Sequence, residues 1–132
     1  MTGPEPLAAR SRVTVLALDR WGSVLVAQGA AGAAPPSTAL SETESPDTGA
    51  LRVFEAATGA LLDELKLFRD GEQGHHIYYC DPDLDLSDLT PAEASSLHYI
   101  APDEVESAGL TPEAQSLLTR FVASSAYRAM FH

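Results

Sequence analysis

Apolar residues fall in short clusters along the chain, and the period of each cluster predicts an element. RVTVLALD (12–19) alternates as a strand does, and SVLVAQG (23–29) predicts a second. Between them Asp19-Arg20-Trp21-Gly22 has turn chemistry, with Gly22 able to take a positive φ, so the pair reads as a hairpin. GAAGAAPPSTALSETESPDTG (29–49) follows, read as one long loop of about twenty residues. Ser45-Pro46-Asp47 then has the grammar of a helix start: Ser as N-cap, Pro at the first position, Asp near the positive end of the dipole. That helix is predicted to run through Leu51, Phe54 and Thr58, spaced by three and four, and to stop near Gly59.

LLDELKLFRD (61–70) and HHIYYCDPD (75–83) predict two further strands, DLSDLTPAEASS (85–96) a polar connection, and LHYIA (97–101) a short strand. Pro102-Asp103-Glu104 opens a brief helix ended by Gly109. A last helix begins at Thr111-Pro112-Glu113, with Ala114, Leu117, Leu118, Phe121 and Val122 at helical spacing. The closing SSAYRAMFH is open to two readings, a frayed end or a dimer contact. The order predicts an α/β or α+β sandwich, a mixed sheet with helices packed on it. A mobile arm is expected over residues 1–11, where Gly3, Pro4 and Pro6 discourage regular structure, and a single domain over 12–132.

Charge narrows the partners. Eight basic residues face 19 acidic ones, a net charge of −11, which repels nucleic-acid backbone and anionic membrane. No apolar run is long enough for a signal peptide or a membrane span, so a soluble cytoplasmic protein is expected. The single Cys80 rules out an internal disulfide and reads as a buried strand residue.

Few constellations in the chain carry chemistry. Asp81, Asp83, Asp85 and Asp88 alternate like a calcium loop but lack its central Gly and closing Glu, so they read as a solvated connection. His75 and His76 are strand neighbours pointing to opposite faces, one core-facing and one exposed, and do not chelate one ion together. Trp21, and Tyr78 or Tyr79, are candidates to stack on a planar ligand.

One further pattern does carry chemistry. Arg52-Val53-Phe54-Glu55-Ala56-Ala57-Thr58-Gly59 resembles the core of the Nudix (MutT-like) box, G-x5-E-x7-R-E-U-x-E-E-x-G-U, with U aliphatic. With the box arginine on Arg52, its first glutamate falls on Glu44 and its late glycine on Gly59. Phe54 and Ala60 take the two U positions. The first glycine becomes Thr38, and the three helical glutamates become Val53, Ala56 and Ala57. The strands over 12–29 and the aromatic strand leading through Pro102-Asp103-Glu104 into a last helix are similar to the rest of that fold. The likeness covers roughly residues 12–125, and it implies an α/β/α sandwich with a cleft between the box helix and the sheet.

The resemblance also implies an activity: hydrolysis of nucleoside diphosphates linked to another group, with Mg²⁺ or Mn²⁺. Positions i, i+3 and i+4 share one helical face, so three glutamates there converge as oxygen ligands, and the ions they hold activate water. Val53, Ala56 and Ala57 offer no oxygen. The expectation is therefore a non-catalytic domain with no cofactor, binding a nucleotide-like ligand or a partner protein, or forming a homodimer. The alternative is a divergent Mg²⁺- or Mn²⁺-dependent hydrolase whose metal is held by acids outside the helix. Glu44 and Glu93 are its candidates, Glu93 matching a loop glutamate of some members. Glu44 reads first as a structural partner of Arg52, Asp47 as part of the helix start, and Glu55 as a surface charge about 200° around the helix from Val53.

Overall fold

The computed structural model describes residues 11–41, 43–59, 61–62, 64–68, 75–81 and 97–131. Its elements run β1 (Arg12–Ala17), β2 (Val24–Gly29), β3 (Gly32–Ala34), β4 (Ser37–Ala39) and α1 (Pro46–Thr58). They continue with β5 (Lys66–Phe68), β6 (His75–Cys80), β7 (Leu97–Ile100), a 3₁₀ turn at Pro102–Glu104, α2 (Pro112–Val122) and α3 (Ser125–Phe131). Of the arm expected over 1–11, only Ser11 is described; its carbonyl accepts from the Leu40 N–H at 2.7 Å.

Strand β1 organises the rest. All but its first residue are buried, so both faces need cover, and both edges are paired. β4 lies antiparallel on one side and β6 parallel on the other, giving a mixed sheet in the order β4-β1-β6-β5. Val13, Val15 and Ala17 face α1, packing with Leu40, Ala50, Val53 and Phe54. Leu16 and Leu18 face the other way, into a core with Leu117, Leu118 and Phe121 of α2. This is an α/β/α sandwich with the strand period of two splitting one strand between two cores.

The expected hairpin of β1 and β2 is corrected here. With its edges taken by β4 and β6, β1 has no ladder left for β2; among the described residues their backbones bridge at Leu18–Val24, and their side chains share the two cores. β2 instead joins a second, antiparallel sheet in the order β3-β2-β7. The turn chemistry itself is as read: Gly22 has φ +83°, and Asp19 Oδ1 accepts from the backbone N–H groups of Trp21 and Ser23, each at 2.9 Å.

The long loop read over 29–49 is corrected too, since it contains β3 and β4. Three-residue strands of Gly, Ala, Ser and Thr carry no periodic signal, and backbone hydrogen bonds to β2 and β1 create them. Gly32 is needed for a close approach: at φ +132°, a Cβ there would sit 2.9 Å from the Gly109 carbonyl oxygen. That contact lets Ala33 exchange two 3.0 Å hydrogen bonds with Gly109 and Thr111, which docks β3 against the start of α2.

α1 has its expected ends. Ser45 is extended at the N-cap with Pro46 behind it, and Gly59 at φ +76° closes the helix in the left-handed conformation, donating to the Glu55 carbonyl at 2.7 Å. Its buried stripe is Gly49, Ala50, Val53, Phe54 and Thr58; Leu51, expected in it, lies one step around the helix and is exposed. α2 buries Ala114, Leu117, Leu118 and Phe121 of the expected face, with Val122 half-buried at its edge, and the Thr111 hydroxyl caps it by accepting from the Ala114 N–H at 3.1 Å. The closing segment forms α3, whose Tyr127 hydroxyl donates to the Gly22 carbonyl at 2.7 Å. The strand read over 61–70 is confined, among the described residues, to Lys66–Phe68. No described helix is long and apolar enough to cross a membrane.

Candidate functional site

Glu44 and Arg52 form a two-armed pair. Arg52 Nε donates to Glu44 Oε2 at 2.7 Å and Nη2 to Oε1 at 2.9 Å. Nη2 also donates to the Ala39 carbonyl at 3.2 Å, so the guanidinium ties α1 to the end of β4. The Glu44 side chain is only 11% exposed, and hydrogen bonding from Arg52 holds its carboxyl below the usual range. Both oxygens serve this brace, the structural role read for Glu44. Arg52 is raised in turn by the same carboxylate.

This pairing has a signed pH consequence. A carboxyl with a depressed folded pKa contributes stability that is full above its unfolded pKa of about 4.3, shrinks below it, and is gone below the lower folded value. Arg52→Gln is therefore expected to destabilise the protein near neutral pH. Its deficit against wild type should narrow as the pH falls through that window, read by urea unfolding at both ends. A deficit unchanged from neutral to acid pH would show that the ion pair is not its source.

Around the helix from Arg52, Val53 is 9% exposed and belongs to the α1 core, Ala56 is exposed and Ala57 half-buried. Glu55 is exposed, as its 200° offset from Val53 requires. Thr38, at the position of the first box glycine, pairs with Val13 in the sheet. Among the described residues no three His, Cys, Asp or Glu side chains stand close enough to hold one ion. Mg²⁺ or Mn²⁺ does not fit this helix face, which supplies a methyl-lined surface where hard oxygen donors are needed. Glu93, Glu42 and the acidic run beyond Asp81 lie outside the described residues.

The face of α1 toward the sheet packs Ala50, Val53 and Phe54 together with Leu40. A pocket of about 400 Å³ opens beside β1 where Arg12 and Thr14 lie, between β4 and the start of α2. Its polar lining is Arg12, Thr14, Ser37, His75, Thr111 and Glu113. Its apolar walls are Ala31, Ala34, Pro35, Pro112, Ala114 and Leu117. Thr14 Oγ1 lies 2.6 Å from His75 Nε2 and 3.0 Å from Ser37 Oγ, and Arg12 Nη2 donates to Ser37 Oγ at 3.2 Å. At the rim Arg12 Nη1 stands 3.6 Å from Glu113 Oε2, both side chains well exposed.

Sequence reasoning missed this group. Its members come from β1, β4, β6 and α2, and only the parallel Arg12–His75 register and the antiparallel Thr14–Ser37 register bring them together. Neither stacking candidate lines the pocket. Trp21 is 75% exposed in the β1–β2 turn, with the Arg20 guanidinium 5.3 Å over its ring. Tyr78 is half-buried on the α1 side, where burial, and then the charge of Asp47, raise its phenol. His75 and His76 are both half-buried, so the expected split into core and solvent does not hold. Cys80 is buried as read, and burial pushes its thiol up to about 12, far from reactivity.

No protein-family model matches the sequence, and no curated protein matches it either. Solved structures do match. RenU, a Nudix hydrolase of M. smegmatis, is 21% identical with a TM-score of 0.65, over 89% of this chain and 87% of that one. A putative Nudix hydrolase family member of Chromobacterium violaceum is 19% identical with a TM-score of 0.69, over 92% and 85%. The Ap4A hydrolase of C. elegans is 14% identical with a TM-score of 0.63, over 87% and 97%. At these identities the likeness speaks for architecture alone: the chain has the fold of the Nudix hydrolases.

Proposed function

We propose that this chain is a Nudix-fold binding domain without metal-dependent hydrolase activity, its box degenerate, and that it holds a small molecule in the pocket beside β1. One observation carries the reading. The helix that would present three carboxylates is intact, capped and braced by Glu44–Arg52, yet its positions 53, 56 and 57 carry Val, Ala and Ala. Of the ligand classes expected from the sequence, the pocket favours a small molecule over a partner protein, since it is concave and mostly apolar with a few convergent polar groups.

The test is a panel of dinucleoside polyphosphates, sugar nucleotides and nucleoside triphosphates, each incubated with Mg²⁺ and with Mn²⁺. Product is expected to form no faster than in protein-free controls. Metal-dependent turnover abolished by Glu44→Gln or Glu93→Gln would establish a divergent hydrolase instead.

A further inference from the structure

The polar groups of the pocket form one chain, Arg12–Ser37–Thr14–His75, and that chain limits what can bind. A hydroxyl has one proton to give and two lone pairs to fill. Ser37 Oγ accepts from Arg12, so one of its lone pairs is used. If His75 Nε2 is bare, Thr14 donates to it and Ser37 donates to Thr14, which leaves Ser37 a lone pair. If Nε2 carries the proton, the chain reverses, Thr14 donates to Ser37, and the Ser37 proton is left to give. Ser37 therefore offers a donor in one tautomer and an acceptor in the other. A ligand group that can both give and take, a hydroxyl or a carboxamide, fits either state.

Charge and shape narrow the class further. The Arg12 cation faces the Glu113 carboxylate across the rim, so the mouth carries a cation and an anion together and not a cluster of positive charge. An anionic head would meet Glu113 and a chain of net charge −11. The walls are alanine, proline and leucine, and among the described lining residues there is no Phe, Tyr or Trp ring for a base to stack on, the His75 imidazole being held edge-on by its hydrogen bond to Thr14. Thr14 is 3% exposed, so its hydroxyl works where water competes little.

We infer that the pocket is a binding site for a small uncharged ligand with an aliphatic body and one hydroxyl or carboxamide head, seated on Ser37 and Thr14, and not for a nucleotide. This rests on the reading of the chain as a non-catalytic binding domain. Ser37 Oγ takes the head group, and Ala34, Ala114 and Leu117 pack on the body.

The test follows the methyl signals of Ala34, Ala114 and Leu117 by NMR in the full chain, titrated with hexanamide, hexan-1-ol, hexanoate and AMP. Hexanamide and hexan-1-ol are expected to shift all three methyls saturably, with hexanoate and AMP at least about tenfold weaker, the cost of placing an unmatched charge there. Ser37→Ala should weaken hexanamide by roughly three- to tenfold, the range of one neutral hydrogen bond, while the chain stays folded by its methyl spectrum. Ala34→Leu, which fills the cavity, should abolish the shifts. Hexanoate or AMP binding these methyls more tightly than hexanamide overturns the inference, as does a pocket silent to both neutral probes. An AMP preference would leave the non-catalytic reading standing, whereas metal-dependent turnover in the substrate panel removes that reading itself.

Discussion

Replacing Val53, Ala56 and Ala57 together by glutamate is expected to make the protein both weaker and responsive to metal. Without metal, the new carboxylate at position 53 enters the core between α1 and β1, and three like charges crowd one helical face. The combined cost is about 2–4 kcal/mol, the size of a buried polar group left unpartnered plus the repulsion of its neighbours. An ion bound only by the folded state returns stability as its concentration passes Kd, about 2.7 kcal/mol at a hundredfold excess over Kd. The triple variant's melting temperature should therefore fall in chelator and rise by several degrees with Mn²⁺, while wild type stays flat. Equal Mn²⁺ shifts in the two proteins would locate the metal elsewhere than on this helix.

The second large effect is expected at Phe121. It is fully buried on α2, and its ring meets three others: Phe68 edge-on at 5.2 Å, Tyr79 at 5.5 Å and Tyr127 at 5.5 Å. Those partners come from β5, β6 and α3, so one ring joins the sheet to both C-terminal helices. Phe121→Ala should cost about 3–5 kcal/mol, transfer loss and cavity together, a large share of a total of about 5–15 kcal/mol. Urea unfolding would show it as a lowered midpoint. A change below about 1 kcal/mol would mean that the cluster collapses around the gap or is not the keystone described.

What the sequence revealed follows the range of each interaction. α1 was legible because its signals are local: Ser45 and Pro46 at one end, Gly59 at the other, and apolar residues at helical spacing between. α2 was legible for the same reason, from Thr111 to Phe121. β3 and β4 were not, because their residues have little strand propensity and are extended only by pairing with β2 and β1. The hairpin was misread because the partner that displaces β2, strand β6, lies some sixty residues away, with Arg12 opposite His75. Box spacing placed Glu44 on Arg52, eight residues apart, and the structure joins them. No spacing rule joins Thr14 to Ser37 and His75, 23 and 61 residues off, so the pocket emerges only once the sheet is assembled.

The most direct measurement is a titration of the wild-type protein with Mn²⁺, following free ion by electron paramagnetic resonance. With hydrocarbon at residues 53, 56 and 57, the free-ion signal should track that of a protein-free blank through the sub-millimolar range. Stoichiometric uptake of Mn²⁺ in that range, lost in Glu44→Gln or Glu93→Gln, would contradict the account.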